Sequence, residues 1–156
     1  MNPVGELLRV EDIALDVDVS TSTVLERLAP MLVRRSWPTQ AEVLECLMER
    51  EALGSTAMGH GVAIPHARMA RCEAEAAALI RTRGGIPFNA PDGKPVSLFL
   101  GLIVPKQANK QHLKLLATAA AMFSDRGFRT ALRASPDAAS AMKLLAAWSE
   151  TSASGG

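Results

Sequence analysis

The sequence predicts a single α/β domain, and three observations carry that expectation. A length of 156 residues suits one compact domain with a sizeable core and is short for two. Stretches with helical periodicity alternate along the chain with short strand-like apolar runs. One run, "VSLFLGLIVP", is nearly continuous in apolar residues and bounded by prolines, the pattern of a strand buried on both faces. Hydrophobic residues make up 48% of the chain and charged residues 21%, the balance of a protein that folds by itself. The pattern leaves strand order and direction open.

Ile13 to Val19 alternates loosely between apolar and acidic residues and fits a short strand. The stretch "STSTVLERLAPMLVRRS" then reads as a helix, with Thr23 and Glu26 as a capping box and Val24, Leu25, Leu28, Met31 and Leu32 on one face. Pro30 should kink or end it, because proline lacks the amide hydrogen that the helix uses. A further helix starts at Thr39, with Glu42 three residues on. It turns Val43, Leu44, Leu47 and Met48 inward and runs into Arg50 and Glu51. From Gly54 to Gly61 three glycines break the helical period, and Val62, Ala63 and Ile64 form a short strand that Pro65 stops. Ala76 to Thr82 reads as a strand, "GGIPFNAPDGKP" as a turn-rich loop, and "VSLFLGLIVP" as the central strand. Beyond it "NKQHLKLLATAAAMFS" is helical, with His112, Leu115, Leu116 and Ala119 on one side. Arg126 to Arg133 fits a short helix, and Ser135-Pro136-Asp137 opens a last one that reaches Trp148. The domain is expected to occupy residues 1–150, with a small, polar, disordered tail over 151–156.

Seventeen basic residues against sixteen acidic ones give a formal net charge of +1, so no overall field draws the protein to nucleic acid or anionic lipid. Aromatic residues are 4% with no tyrosine, which removes the stacking groups that readers of single-stranded nucleic acid need. The start "MNPVGELLRVED" lacks the basic and apolar regions of a signal peptide, and no segment reaches the ~18 apolar residues of a membrane span. A cytoplasmic protein is expected. Cys46 and Cys72 have no C-x-x-C spacing and read as reduced thiols.

His66 is the sharpest candidate for chemistry. Pro65 fixes its own φ and restricts Ile64 to extended geometry, so the backbone entering His66 has little freedom and the imidazole can be held at one angle. Such an imidazole suits nucleophilic work, although a loop histidine without a role has the same local sequence. Arg50 ends the preceding helix, and its fork of donors suits a phosphate or carboxylate. Ser55 and Thr56 offer hydroxyls in a glycine-bounded turn, where capping of local backbone competes with ligand binding. His112 falls in the first turns of a helix, where free amides favour an anion and a neutral imidazole. The spacing of His60 and His66 is not that of a metal-ligand pair, and the Walker and G-x-G-x-x-G phosphate loops are absent. No metal or other cofactor is expected.

The segment "REALGSTAMGHGVAIPHAR", followed in order by "GIPFNAPDGKPVSLFLGLIVP" and "QHLKLLA", resembles the type-2 enzyme IIA domains of the bacterial phosphoenolpyruvate-dependent phosphotransferase system. The resemblance spans most of residues 10–148. It implies a mixed sheet with helices on both faces. It also implies that His66, the histidine of A-I-P-H, is transiently phosphorylated on Nε2. His112 would lie beside it, Arg50 would help hold the phosphoryl group, and Ser55 and Thr56 would stand near the site. The implied donor is the phosphocarrier protein HPr or its nitrogen-branch relative. "REALGST" looks closest to the nitrogen-regulatory members, which act by binding proteins according to phosphorylation state. A sugar-specific member of the mannitol or fructose type, passing phosphate to a separate enzyme IIB, is the alternative. His60, Ser97 and Lys106 depart from residues common in the family, which bears on partner preference.

Overall fold

The computed structural model describes residues 2–34, 38–70, 74–107 and 110–150, including all their side chains except those of Gln111 and His112. Its strands are β1 (Ile13–Val17), β2 (Ala57–Gly59), β3 (Val62–Ala63), β4 (His66–Met69), β5 (Ala76–Ile86) and β6 (Val96–Pro105). Its helices are α1 (Pro3–Leu7), α2 (Val24–Leu32), α3 (Gln40–Leu53), α4 (Lys110–Ser124), α5 (Arg126–Ala134) and α6 (Ala138–Ala147).

One mixed sheet runs β1-β5-β6-β3-β2, with β4 also paired to β6. β5 and β6 are antiparallel; β1 pairs parallel with β5, and both β3 and β4 pair parallel with β6. The alternation of side chains along β6 creates two cores. Leu98, Leu100, Leu102 and Val104 meet α1, α4, α5 and α6 through Val4, Leu115, Phe123, Leu132 and Leu145. Phe99 and Ile103 face the opposite way, toward Leu28 and Leu32 of α2 and Val43 and Leu47 of α3. The mixed sheet with helices on both faces is therefore as expected, and VSLFLGLIVP is its central strand.

Two close approaches need glycine. Gly101 of β6 leaves room for Leu28 and Leu32, whose methyls would stand 3.0 and 3.1 Å from an added Cβ. Gly5 sets α1 against α6, where a Cβ would fall 2.9 Å from the Ala146 Cα, a backbone atom that cannot swing aside. Gly5→Ala is therefore expected to destabilise the fold by roughly 1–3 kcal/mol through overpacking, measured as a lower urea midpoint at unchanged slope.

Several elements differ from the sequence reading for identifiable reasons. The short helix α1 lacks helical periodicity and is held from outside: Asn2 Oδ1 accepts from the Gly5 amide at 2.8 Å, and Asn2 Nδ2 donates to the carbonyls of Leu145 and Trp148 at 2.8 and 2.9 Å. Thr23 makes no capping bond in α2; its hydroxyl accepts from the Ser20 amide behind it, at 2.8 Å. Pro30 lies inside α2 on the exposed side, and the helix continues two residues beyond it. In α3 Met48 is 55% exposed, because it sits ~140° around the helix from Val43 at 100° per residue. Thr39 does cap α3 as expected, accepting from the Glu42 amide at 3.3 Å. β5 runs on through Gly84 and Gly85, which read as a turn; at Gly85 glycine is required because Pro95 packs where a Cβ would otherwise stand. The expected tail over 151–156 and Cys72 lie outside the described residues.

Candidate functional site

The site begins with a broken strand. β3 and β4 follow the same edge of β6, with Val62 opposite Leu98 and His66 opposite Leu102. Pro65 interrupts them because it has no amide to give to the ladder, yet its carbonyl still accepts from the Leu102 amide at 2.9 Å. The strand therefore resumes at His66, where the sequence suggested that the element stops. The Ile64 amide donates sideways to the Thr56 carbonyl at 3.0 Å. The Ile64 carbonyl takes the imidazole, with His66 Nδ1 at 2.7 Å. A carbonyl can only accept, so Nδ1 carries the proton and Nε2 is the ring nitrogen with a free lone pair.

His66 is half-buried, and burial is the main reason why its pKa lies below the usual histidine value. The positive charges of Arg50 and Arg68 push the same way; the hydrogen bond to Ile64 and the carboxylate of Glu51 oppose them. The ring is accordingly neutral at pH 7. Below the unfolded pKa, the unfolded chain binds a proton that folded His66 still refuses. This residue's contribution therefore makes the fold less stable as pH falls, until the folded-state pKa is passed. A His66→Gln variant is expected to lose part of the acid-side decline in stability, measured by urea titrations in steps from pH 7 to pH 5.

An open depression of about 730 Å³ lies beside the ring, lined by Cys46, Glu49, Arg50, Leu53 and Arg68 together with His66. The structure thus brings His66 and Arg50 to one place. Arg50 stands in the last turn of α3, where its Nη1 donates to the Gly54 carbonyl at 2.9 Å, and its other two guanidinium nitrogens carry further N–H donors. Leu53 is 86% exposed at the rim.

Ser55 and Thr56 are not among the residues lining that depression. The Ser55 hydroxyl donates to the Phe88 carbonyl at 2.8 Å and accepts from the Ala57 amide at 3.1 Å. The Thr56 hydroxyl donates to Glu51 Oε1 at 2.6 Å. Both hydroxyl protons are engaged within the fold: that of Thr56 nearby at the end of α3, that of Ser55 across the fold at Phe88, while only the bond that Ser55 accepts from Ala57 is the local kind that a glycine-bounded turn favours. The backbone of His112 is in the first turn of α4, and its side chain lies outside the described residues. His60 forms the tip of the β2–β3 hairpin with φ 57°, between Gly59 and Gly61, also at positive φ. Its amide donates to Asp92 Oδ2 at 2.9 Å and its carbonyl accepts from Arg133. It lines no part of the depression.

Sequence reasoning missed Arg68 and Glu51. Arg68 would have been legible had the strand been continued past Pro65, since residues two apart on a strand share a face and His66 and Arg68 are such a pair in β4. Glu51 was not, because its partner Thr56 lies across a turn whose path no spacing rule specifies.

The fold and this site define an α/β domain that presents one proline-set, neutral imidazole beside an arginine on a mixed sheet. The sequence model of the family described as "Phosphoenolpyruvate-dependent sugar phosphotransferase system, EIIA 2" matches residues 6–148, and the chain belongs to that family. A nitrogen regulatory protein of Bradyrhizobium diazoefficiens is 37% identical over 146 residues, covering 92% of this chain and 95% of the relative. One from Pseudomonas aeruginosa is 37% identical over 127 residues, covering 81% and 82%. The crystal structure of nitrogen regulatory protein IIA-Ntr from Neisseria meningitidis superposes with a TM-score of 0.86 at 43% identity, covering 91% of this chain and 98% of that one. No helix among the described residues is long and apolar enough to cross a membrane.

Proposed function

We propose that this protein accepts a phosphoryl group on His66 Nε2 from an HPr-type phosphocarrier, HPr itself or its nitrogen-branch relative, and acts as a nitrogen-branch regulator by binding other proteins according to phosphorylation state. The observation that carries this reading is the 2.7 Å contact between Nδ1 and the Ile64 carbonyl, which leaves Nε2 as the nucleophile. The Nε2 lone pair forms a bond to phosphorus as the N–P bond of the donor's phosphohistidine breaks, and the donor nitrogen recovers its lone pair. No proton need move: His66 keeps Nδ1–H throughout. Its ring gains positive character as Nε2 is phosphorylated, which strengthens the hydrogen bond to the Ile64 carbonyl in the product.

Transfer of this kind has a loose transition state with charge spread over the peripheral oxygens, so positioning and electrostatics do most of the work. Arg50 and Arg68 flank the depression and supply positive charge there. His112 would add a donor from the start of α4. Ser55 and Thr56 would contribute through the turn that they stabilise, and directly only by releasing Phe88 and Glu51. Apolar Leu53 at the rim suits close docking of a carrier that excludes water, the competing acceptor. A dianionic group added there would change the local charge and so the set of proteins that bind.

The test is incubation with phosphoenolpyruvate, enzyme I and each HPr-type carrier, followed by intact mass and peptide mapping of an acid-labile group. Labelling of the peptide containing His66 is the expected result; folded protein that no carrier labels would contradict it. Rapid discharge of the labelled protein onto an enzyme IIB would instead favour sugar transport.

A further inference from the structure

We propose that Glu51 is a positioning residue for His66: its carboxylate grips Thr56, and through Thr56 and Ile64 it fixes which imidazole nitrogen is free to react. The inference rests on the reading of His66 as the phosphoryl acceptor. Four contacts form an unbroken path. Glu51 Oε2 accepts from the Thr56 amide at 2.8 Å, and Oε1 accepts from the Thr56 hydroxyl at 2.6 Å. The Thr56 carbonyl accepts from the Ile64 amide at 3.0 Å, and the Ile64 carbonyl accepts from His66 Nδ1 at 2.7 Å.

The path is stiff at each step. A carboxylate bound through both oxygens fixes Thr56 in position and orientation, which one hydrogen bond does not. Ile64 precedes a proline and is confined to extended geometry, so fixing its amide also fixes the direction of its carbonyl. That carbonyl lies at hydrogen-bond distance from Nδ1. Release of Thr56 would free the Ile64 carbonyl to move, and a neutral imidazole without a fixed acceptor at Nδ1 distributes its proton over both nitrogens. Molecules protonated on Nε2 would have no lone pair where the phosphoryl group must bind. The end of α3 then has two tasks in adjacent residues: Arg50 lines the depression, and Glu51 orients the group that reacts there. Among the described residues, the charged groups acting on the ring are Arg50 and Glu51 from α3 and Arg68 from β4.

The experiment is ¹⁵N NMR of the imidazole in unphosphorylated protein, for wild type, Glu51→Gln, Thr56→Val and Thr56→Ser, with the phosphorylation rate as a second readout. Wild type is expected to show the Nδ1–H form. Glu51→Gln should shift population toward Nε2–H, lower the titration midpoint of His66 because an opposing negative charge is gone, and slow phosphorylation about ten- to a hundredfold. Thr56→Val should move the tautomer ratio in the same direction, and Thr56→Ser, which keeps both donors, should retain the Nδ1–H form. A purely structural Glu51 would lower stability without moving the tautomer ratio. Wild type found mainly as Nε2–H overturns the proposal whether or not any variant folds, as does folded Glu51→Gln with an unchanged tautomer ratio, whatever its midpoint, since loss of the charge alone moves the midpoint. These spectra need no phosphoryl transfer. Failure of His66 to label would therefore count against the functional reading, while the tautomer result would still judge Glu51.

Discussion

His66→Ala is expected to accept no phosphoryl group from any HPr-type carrier, while keeping the fold and most of its stability. The loss is complete on the proposed reading because the substitution removes the atom to which phosphorus would bond, and no other described histidine lines the depression. The fold survives because His66 is only half-buried, next to an open depression from which water can satisfy the Ile64 carbonyl left without its partner. The stability cost should be about 0.5–1.5 kcal/mol, that of one hydrogen bond. Intact mass after incubation with the phosphorylating system, beside a circular-dichroism melt of the same sample, checks both halves.

Arg50→Ala is expected to slow phosphorylation of His66 about a hundredfold or more without abolishing it. Removal of one donor aimed at developing negative charge typically costs 10²–10³ in rate, and in the proposed transfer Arg50, which lines the depression beside the ring, supplies such donors. The nucleophile remains, so labelling still goes to completion given time. Arg50→Lys should fall between the two: an ammonium restores positive charge, but it lacks the planar fork that matches two phosphoryl oxygens. Because Arg50 also acts to lower the pKa of His66, Arg50→Ala should raise the ring's titration midpoint somewhat, which does not help at pH 7. Single-turnover rates at saturating carrier separate these effects from docking.

Features set by periodicity or by local chain chemistry were legible in the sequence. The continuous apolar run of β6, the Thr39 start of α3 and the Asp137 start of α6 depend on neighbours in sequence, and all three formed. The proline-set imidazole and the arginine at the helix end were legible for the same reason, and the fold joined them at one depression. Features set by distant contacts were not. The helix α1 depends on Asn2 reaching the far end of the chain, and the need for glycine at Gly85 in β5 depends on Pro95 packing across the hairpin. The tautomer of His66 depends on a carbonyl two residues back, whose direction is set by Thr56 and Glu51 across a turn.

The most direct test of the account is ¹⁵N–³¹P correlation NMR of protein phosphorylated by enzyme I and an HPr-type carrier. The prediction is a single phosphorus coupled to Nε2 of His66, with Nδ1 carrying a proton. Phosphorus on Nδ1, on another residue, or on none in folded protein would contradict it.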